Sequence, residues 1–430
     1  MQNSLPAAAD FEATAAARSA PDHDLRPDSL RTEVTRPVAW ALVLSFLLAI
    51  VALPLGQLYL ERLAEEESPL VDLFRRVPSA ENLKRVEHDV EQASYAKAFV
   101  QPRLQLLLTR FGRVGNKRAV VGRDDWLYYT PGVLHVAGPG FLDRGFQRER
   151  ERAERDLDAA PIHADPLPAI FDFQSALARR GIRLVLMPLP DKAAIEAESL
   201  HERGRAPGTP DNPDFDRFLG LLRARGVAVF DARQALPPAE QRPVFLVQDT
   251  HWTPVWMEHV AGALAAFVNE LGVLSPAPEH TLHAVEQPAA RVGDLVDMLE
   301  LPEDQQLFLP REVKVHEVRN AQDNAWEPDA EAEILLLGDS FTNIYSLEGM
   351  GWGAASGLGP QLALALQRPL DVIAQNDSGA FATRRVLAQE LAAGSDRLAR
   401  KRVVIWEFAA RELSTGDWKP IELAQPAGSN

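Results

Sequence analysis

The chain has 430 residues, a formal charge of -16 at pH 7 and no cysteine. That length accommodates one large domain with accessory segments. The acidic balance, with no evident basic cluster, argues against nucleic acid as a partner, and without cysteines neither a disulfide framework nor a thiolate metal site can be read.

Residues 1–36 are rich in Ala, Pro, Asp and Ser with little apolar periodicity, and are expected to form a disordered cytoplasmic tail. From Val38 to Leu60 no residue is charged, which matches the ~20 residues needed to cross a bilayer. A transmembrane signal anchor is therefore expected over 37–60, kinked but not stopped by Pro54. A cleaved signal fits less well, because a long tail precedes the run and no small-x-small site precedes Glu61. Arg31 and Arg36 lie before the span, and Arg62 with Glu61, Glu65, Glu66 and Glu67 after it. The basic residues orient the amino terminus to the cytoplasm and the bulk of the chain to the periplasm. Residues 61–115 read as a helical linker. Leu83, Val86, Val90 and Phe99 keep helical spacing from Pro78-Ser79 to about Phe111, with a kink expected at Pro102.

The main domain is expected over 116–430. Short strands at Arg118–Gly122 and Trp126–Tyr129 flank the turn Arg123-Asp124-Asp125, and the charged stretch Gly138–Pro168 shows no clear period. Helices at Phe171–Arg180, Phe215–Arg225, from Val255, at Pro360–Gln367 and Thr383–Ala393 alternate with strands at Arg183–Met187, Val227–Phe230, Ile334–Leu337, Leu370–Ala374 and Arg402–Trp406. Such alternation implies an α/β fold with a doubly wound parallel sheet, and five strands fit a flavodoxin-like arrangement. The alternation breaks over 275–332, an insertion in which Leu295, Met298, Leu299 and Leu301 promise some packing.

Two stretches carry the chemistry. In EAEILLLGDSFTNIYS the apolar run Ile334–Leu337 stops at Gly338-Asp339-Ser340, so Ser340 is expected at the carboxyl end of the sheet, where open α/β folds bind ligands. The simpler reading is a serine capping the next helix. In VQDTHWTPVWM, Asp249 and His251 are two apart, and in an extended segment both leave the same face. A nucleophilic serine needs a base, and the base a third group to fix its tautomer. Asp249, His251 and Ser340 supply those parts, against a plain surface turn or core histidine. Asp339 is read as orienting the turn, and the Ser340 N–H as a donor to an oxyanion. Lys192 also follows a strand, so it faces the crevice and contacts substrate or pairs with a carboxylate, unless it is simply solvated. Trp252 and Trp352 are candidates to stack on sugar rings, or to pack. Glu407 and Arg411 suggest a structural ion pair. A metal site fits poorly, because His251 and His259 do not make a helical HExxH pair. Gly-rich phosphate loops are lacking, and no soluble cofactor is expected.

DTHW followed by GDSF, with DDWLYY at Asp124–Tyr129, MPLPDK at Met187–Lys192, QNDSGA at Gln375–Ala380 and VVIWEFAARELS at Val403–Ser414, resembles the SGNH-type acyltransferases of the AlgX and AlgJ kind. These O-acetylate bacterial exopolysaccharides such as alginate, and the resemblance spans about residues 116–420. It implies an SGNH hydrolase-like, flavodoxin-like fold and a Ser-linked acetyl-enzyme. It also implies a multi-span membrane O-acyltransferase as acetyl donor and an exopolysaccharide acceptor, alginate, cellulose or similar. Asn376, after a strand, corresponds to the asparagine whose amide donates to the oxyanion, or is a turn residue; Gly353 or Gly357 would supply a further donor. The chain's charge would repel a polyanion unless a basic groove compensates, so a neutral glucan stands beside alginate, with the insertion 275–332 shaping the groove. A carbohydrate acetylesterase with the same triad, and a non-catalytic membrane-anchored polysaccharide-binding scaffold, remain alternatives.

Overall fold

The computed structural model describes residues 35–75, 79–156, 160–202, 211–276, 281–376 and 378–424; the expected tail lies almost wholly outside them. The chain forms two units, one ending at Ala98 and the other starting at Phe99.

In the first unit the expected anchor is one helix, Arg36–Leu63, of 28 residues. At the α-helical rise it is about 42 Å long, more than the ~30 Å hydrocarbon core. Pro37 is tolerated in the first turn, where no N–H partner is required, and Pro54 is carried inside the helix. Its side chains are exposed from Arg36 to Gly56. A single linker helix kinked at Pro102 was the expectation; instead the chain breaks at Ser94, between helices Ala80–Ala93 and Tyr95–Gly112, with Pro102 inside the second. The break is held by side chains. Gln57 Nε2 donates to the Ala93 carbonyl at 2.6 Å, and Tyr95 N–H donates to Gln57 Oε1 at 2.9 Å. Ser94 Oγ accepts from Lys97 N–H at 3.2 Å and so caps the new helix.

The second unit opens with an antiparallel pair, β1 (Ala119–Val121) and β2 (Leu127–Tyr129). The remaining strands are β3 (Arg183–Leu189), β4 (Ala228–Val229), β5 (Leu282–Arg291), β6 (Arg311–Asn320), β7 (Ile334–Gly338), β8 (Asp371–Ala374) and β9 (Val403–Ala409). Five of them form a parallel sheet in the order β4-β3-β9-β7-β8. Side chains alternate across it with period 2. Val185, Met187, Leu336 and Ile405 face helices Pro254–Glu270 and Leu358–Leu366. Leu184, Leu186, Leu335, Leu337, Val404 and Trp406 face helices Pro166–Ala178, Phe215–Ala224 and Ala382–Ala392. Numbered along the chain the sheet reads 2-1-5-3-4, not the flavodoxin 2-1-3-4-5. Counted from β7 and carried round through the termini, the flavodoxin order returns: β8-β7-β9-β3-β4. The sheet is thus a cyclic rearrangement of the expected arrangement, and all five carboxyl ends still share one edge.

The insertion is more regular than its composition suggests. β5 and β6 pair antiparallel from Leu282–Asn320 to Arg291–Arg311. Short helix Asp294–Met298 buries Leu295 and Val296 with Leu299 against Ala119 and Leu127. Strand character was hidden because β5 lacks apolar–polar alternation: Ala284, Glu286, Pro288 and Ala290 share the exposed face, and the other mixes His283, Gln287 and Arg291 with Val285 and Ala289.

Candidate active site

β7 runs into the turn that carries Ser340, and two side chains fix that turn. Asp339 Oδ1 accepts from Phe341 N–H at 2.8 Å and Oδ2 from Ala409 N–H at 2.8 Å, tying the turn to the end of β9. Glu407 Oε2 accepts from Asp339 N–H at 3.0 Å and Thr342 Oγ at 2.8 Å. A Cβ on Gly338 would lie 2.1 Å from Thr342 Oγ1, so the approach of Thr342 and Glu407 requires glycine there. Burial, and then the Asp339 charge, push the Glu407 carboxyl well above the usual range. The expected Glu407–Arg411 ion pair is not formed. Glu407 points down to the turn, whereas Arg411 faces Asp191 at 3.5 Å and covers the rings of Tyr129 and Phe341.

Asp249 and His251 sit on a turn closed by the Phe245–Trp252 bridge and the Leu246 N–H bond to the His251 carbonyl. Lys192 is buried beneath it and donates to the carbonyls of Leu246, Val247 and Asp249 at 2.6, 3.0 and 3.0 Å. Its place after a strand suggested that it faces the crevice; instead its ammonium is used up inside the fold on these three carbonyls. Burial pushes its pKa down to about 7 against the charge of Asp249, and the carbonyl acceptors favour the protonated form.

The three residues read from the two motifs meet. His251 Nδ1 lies 2.6 Å from Asp249 Oδ1 and Nε2 lies 2.8 Å from Ser340 Oγ. Asp249 Oδ1 also accepts from His251 N–H at 3.1 Å, and Oδ2 accepts from Asp294 N–H at 3.0 Å and Trp352 Nε1–H at 3.1 Å. Burial pushes the Asp249 carboxyl up, but the histidine and the N–H donors together outweigh it and hold the group well below the usual carboxylate range. Burial lowers the His251 pKa, and its bond to Asp249, the charge of Asp249 and then that of Asp294 reverse this to a net rise. Such an arrangement can take a proton from the serine hydroxyl and stabilise the imidazolium that results.

Asp294 was not read from the sequence. It begins the short helix of the insertion and accepts from Thr250 N–H at 2.7 Å, with Oδ2 3.8 Å from His251 Nδ1. Burial, then the Asp249 charge, raise its pKa to about 6. A Cβ on Gly293 would lie 2.1 Å from the Gln248 carbonyl, so glycine lets this strand end close on the Asp249 turn. The one available signal was the Gly293-Asp294 pair that opens the segment DLVDM. Ligand atoms of Asp249, His251 and Asp294 lie within 4.8 Å of one another. They do not fit a cation well, because both Asp249 oxygens already accept from N–H groups.

The cleft above Ser340 has a volume of about 560 Å³ and is lined by Tyr129, His251, Asp294, Met298, Asn376, Arg411 and Glu412, among others. Asn376 thus reaches the same cavity as Ser340, and its Oδ1 accepts from Asn343 Nδ2 at 2.7 Å. Its neighbour Asp377 lies outside the described residues. Ser340 N–H opens the short helix Ser340–Asn343 and has no acceptor among the described residues. Gly353 and Gly357 do not line the cleft. Gly353 backs onto Val315, and Gly357 N–H is given to Ser346 Oγ at 3.1 Å. Neither tryptophan is a sugar platform: Trp252 is fully buried with its Nε1–H on the Phe341 carbonyl, and Trp352 is buried on Asp249.

Residues 119–410 match the family described as SGNH hydrolase-like domain, acetyltransferase AlgX. The chain is 26% identical over 310 residues to the probable alginate O-acetylase AlgJ of Pseudomonas aeruginosa, covering 70% of this chain and 71% of that one. It is 27% identical over 316 residues to the protein of the same description from Pseudomonas syringae pv. tomato, covering 72% and 74%. The fold is similar to that of the O-acetyltransferase domain of Pseudomonas putida AlgJ, with a TM-score of 0.51 at 23% identity over 70% of this chain and 93% of that one.

Proposed function

The chain belongs to the family of SGNH hydrolase-like acetyltransferases typified by AlgX, and from that premise we propose that it moves an acetyl group, through Ser340, to hydroxyls of a bacterial exopolysaccharide. The observation that carries the reading is the relay in which one imidazole touches Asp249 at 2.6 Å and Ser340 at 2.8 Å.

In the first half-reaction His251 Nε2 takes the Ser340 proton as Oγ attacks the acetyl carbonyl. The oxyanion that forms is met by the Ser340 N–H and by the Asn376 amide. As the tetrahedral intermediate collapses, the leaving group of the donor departs with the proton from His251, and acetyl-Ser340 remains. In the second half-reaction His251 deprotonates a sugar hydroxyl, which attacks the acetyl carbon; Ser340 leaves and recovers the proton. Asp249 keeps Nδ1 protonated throughout, so that Nε2 is the basic nitrogen. The donor is a multi-span membrane O-acyltransferase, and the anchor Arg36–Leu63 holds the catalytic unit on the periplasmic side of the inner membrane beside it. Asp294 and Glu412 set against Arg411 in the cleft leave no surplus cation for a uronate, which supports an uncharged acceptor unit.

The test is to incubate the protein with p-nitrophenyl acetate and either cello- or alginate-oligosaccharides, and to separate acetylated sugar from free acetate. Acetylated sugar, more with the neutral oligosaccharide and none with Ser340→Ala, is expected. Free acetate alone would mark an esterase, and unchanged polymer acetylation by Ser340→Ala in cells a scaffold.

A further inference from the structure

Helix Tyr95–Gly112 is built inside out. Val100, Leu104, Leu107, Leu108 and Phe111 are between 42% and 76% exposed, and their spacing places them in one ~100° stripe of the kind that normally faces a core. Its less exposed side mixes Pro102 and Leu106 with the polar Gln105 and Thr109. Thr109 is buried and donates to the Val114 carbonyl at 3.0 Å, while Gln105 Nε2 donates to Thr109 Oγ1 and the carbonyls of Val114 and Gly115. Gln101 Nε2 donates to Glu300 at 2.8 Å. The Gln105 and Thr109 bonds close the turn that follows the helix and the Gln101 bond reaches across to Glu300, so the polar side is engaged while the apolar stripe is turned to solvent.

The charge around the stripe says what covers it. The overall charge of -16 hides a local basic stretch that the reading of composition passed over: from Phe99 to Arg123 the chain has six basic residues and no acidic one. Arg103 lies over the Phe99 ring at 3.8 Å and Arg110 over the Phe111 ring at 5.6 Å, so guanidiniums flank the stripe while their stems cover apolar surface. A Leu/Val/Phe face bordered by Arg is what an interfacial helix presents to anionic lipid. Helix Arg36–Leu63 of the same chain is long and apolar enough to cross a membrane. A bilayer tethered in this way is present at high effective concentration, so even a weak contact is populated.

We infer that the outward stripe of helix Tyr95–Gly112 lies in the surface of an anionic bilayer, with Arg103 and Arg110 on phospholipid phosphates. Asn116 Nδ2 donates to the Met298 carbonyl at 2.8 Å, and Met298 lines the cleft beside Ser340. The contact therefore sets the orientation of the cleft relative to the membrane.

Because the chain has no cysteine, Leu107→Cys, Phe111→Cys and, as control, Arg223→Cys each carry one environment-sensitive fluorophore. The full chain is reconstituted into phosphatidylcholine vesicles with or without phosphatidylglycerol, each doped with spin-labelled lipid as quencher. Labels at 107 and 111 are expected to shift to the blue and lose most of their emission in phosphatidylglycerol vesicles, while that at 223 is unchanged. Reversing Arg103 and Arg110 to Glu should restore most of it. Quenching at 107 and 111 no greater than at 223 overturns the inference. So does a blue shift without lipid quenching, which would mark a protein partner, or quenching indifferent to charge reversal.

Discussion

On one rim of the cleft His251 is engaged at both ring nitrogens, Asp249 accepts from both sides, and the turn between them rests on a buried Lys192. On the other rim Asn376 is exposed and its bond runs to a second amide, that of Asn343. Under the proposed mechanism the difference follows from what each rim must do. Proton transfer demands a base held within hydrogen-bond reach before substrate arrives. A rim that admits a polymer and then meets an oxyanion must stay open until the carbonyl enters.

The largest loss is expected from Asp249→Asn, which deprives His251 of the acceptor that fixes its tautomer. The kcat for acetyl release from p-nitrophenyl acetate should fall about 10⁴-fold. Lys192→Met should act on stability, because three carbonyls of the turn lose their donor. Urea unfolding should show a loss of about 3 kcal/mol at constant m-value. On the open rim, Asn376→Ala is expected to lower kcat about 10²-fold with an unchanged unfolding midpoint. A loss as large as that of Asp249→Asn, or a matching loss of stability, would erase the distinction between the rims.

The smallest effect is a shift in pH dependence. His251 must be unprotonated to act as base, and its pKa is raised above the ordinary 6.5 by Asp249 and then Asp294, against burial. The acid limb of kcat/KM should therefore lie above 6.5, with activity rising as pH increases through it. Removing the Asp294 charge in Asp294→Asn lowers the His251 pKa and moves the limb to lower pH, by less than about one unit. Because Asp294 itself titrates at about 6, the two proteins should converge below that pH.

The same contrast explains what the sequence disclosed. Asp249, His251 and Ser340 were legible because each sits in a short local motif at the end of a regular element, and parallel strands bring such ends to one edge. The five strands and their helices were legible from apolar period and from Gly and Pro boundaries. Lys192 was misplaced because a lysine after a strand reads as solvent-facing, and only tertiary packing shows three carbonyls awaiting it. Asp294 was missed because it enters through an insertion whose exposed strand hides its period. Gly353 and Gly357 were offered as donors by the resemblance alone, yet their backbone is committed to packing behind the site. The outward stripe after Phe99 kept its helical period, but periodicity does not say which side of a helix the fold will use.

The central claim is that the acetyl group rests covalently on Ser340 between donor and acceptor. Peptide mapping by mass spectrometry, after brief exposure to p-nitrophenyl acetate and acid quenching, reads this directly. The expected result is one acetyl group on the peptide containing Ser340, absent from Ser340→Ala and discharged when an acceptor oligosaccharide is added, as acetylated sugar appears. Acetylated sugar formed at an undiminished rate by Ser340→Ala, or with Ser340 unmodified throughout turnover, would contradict it.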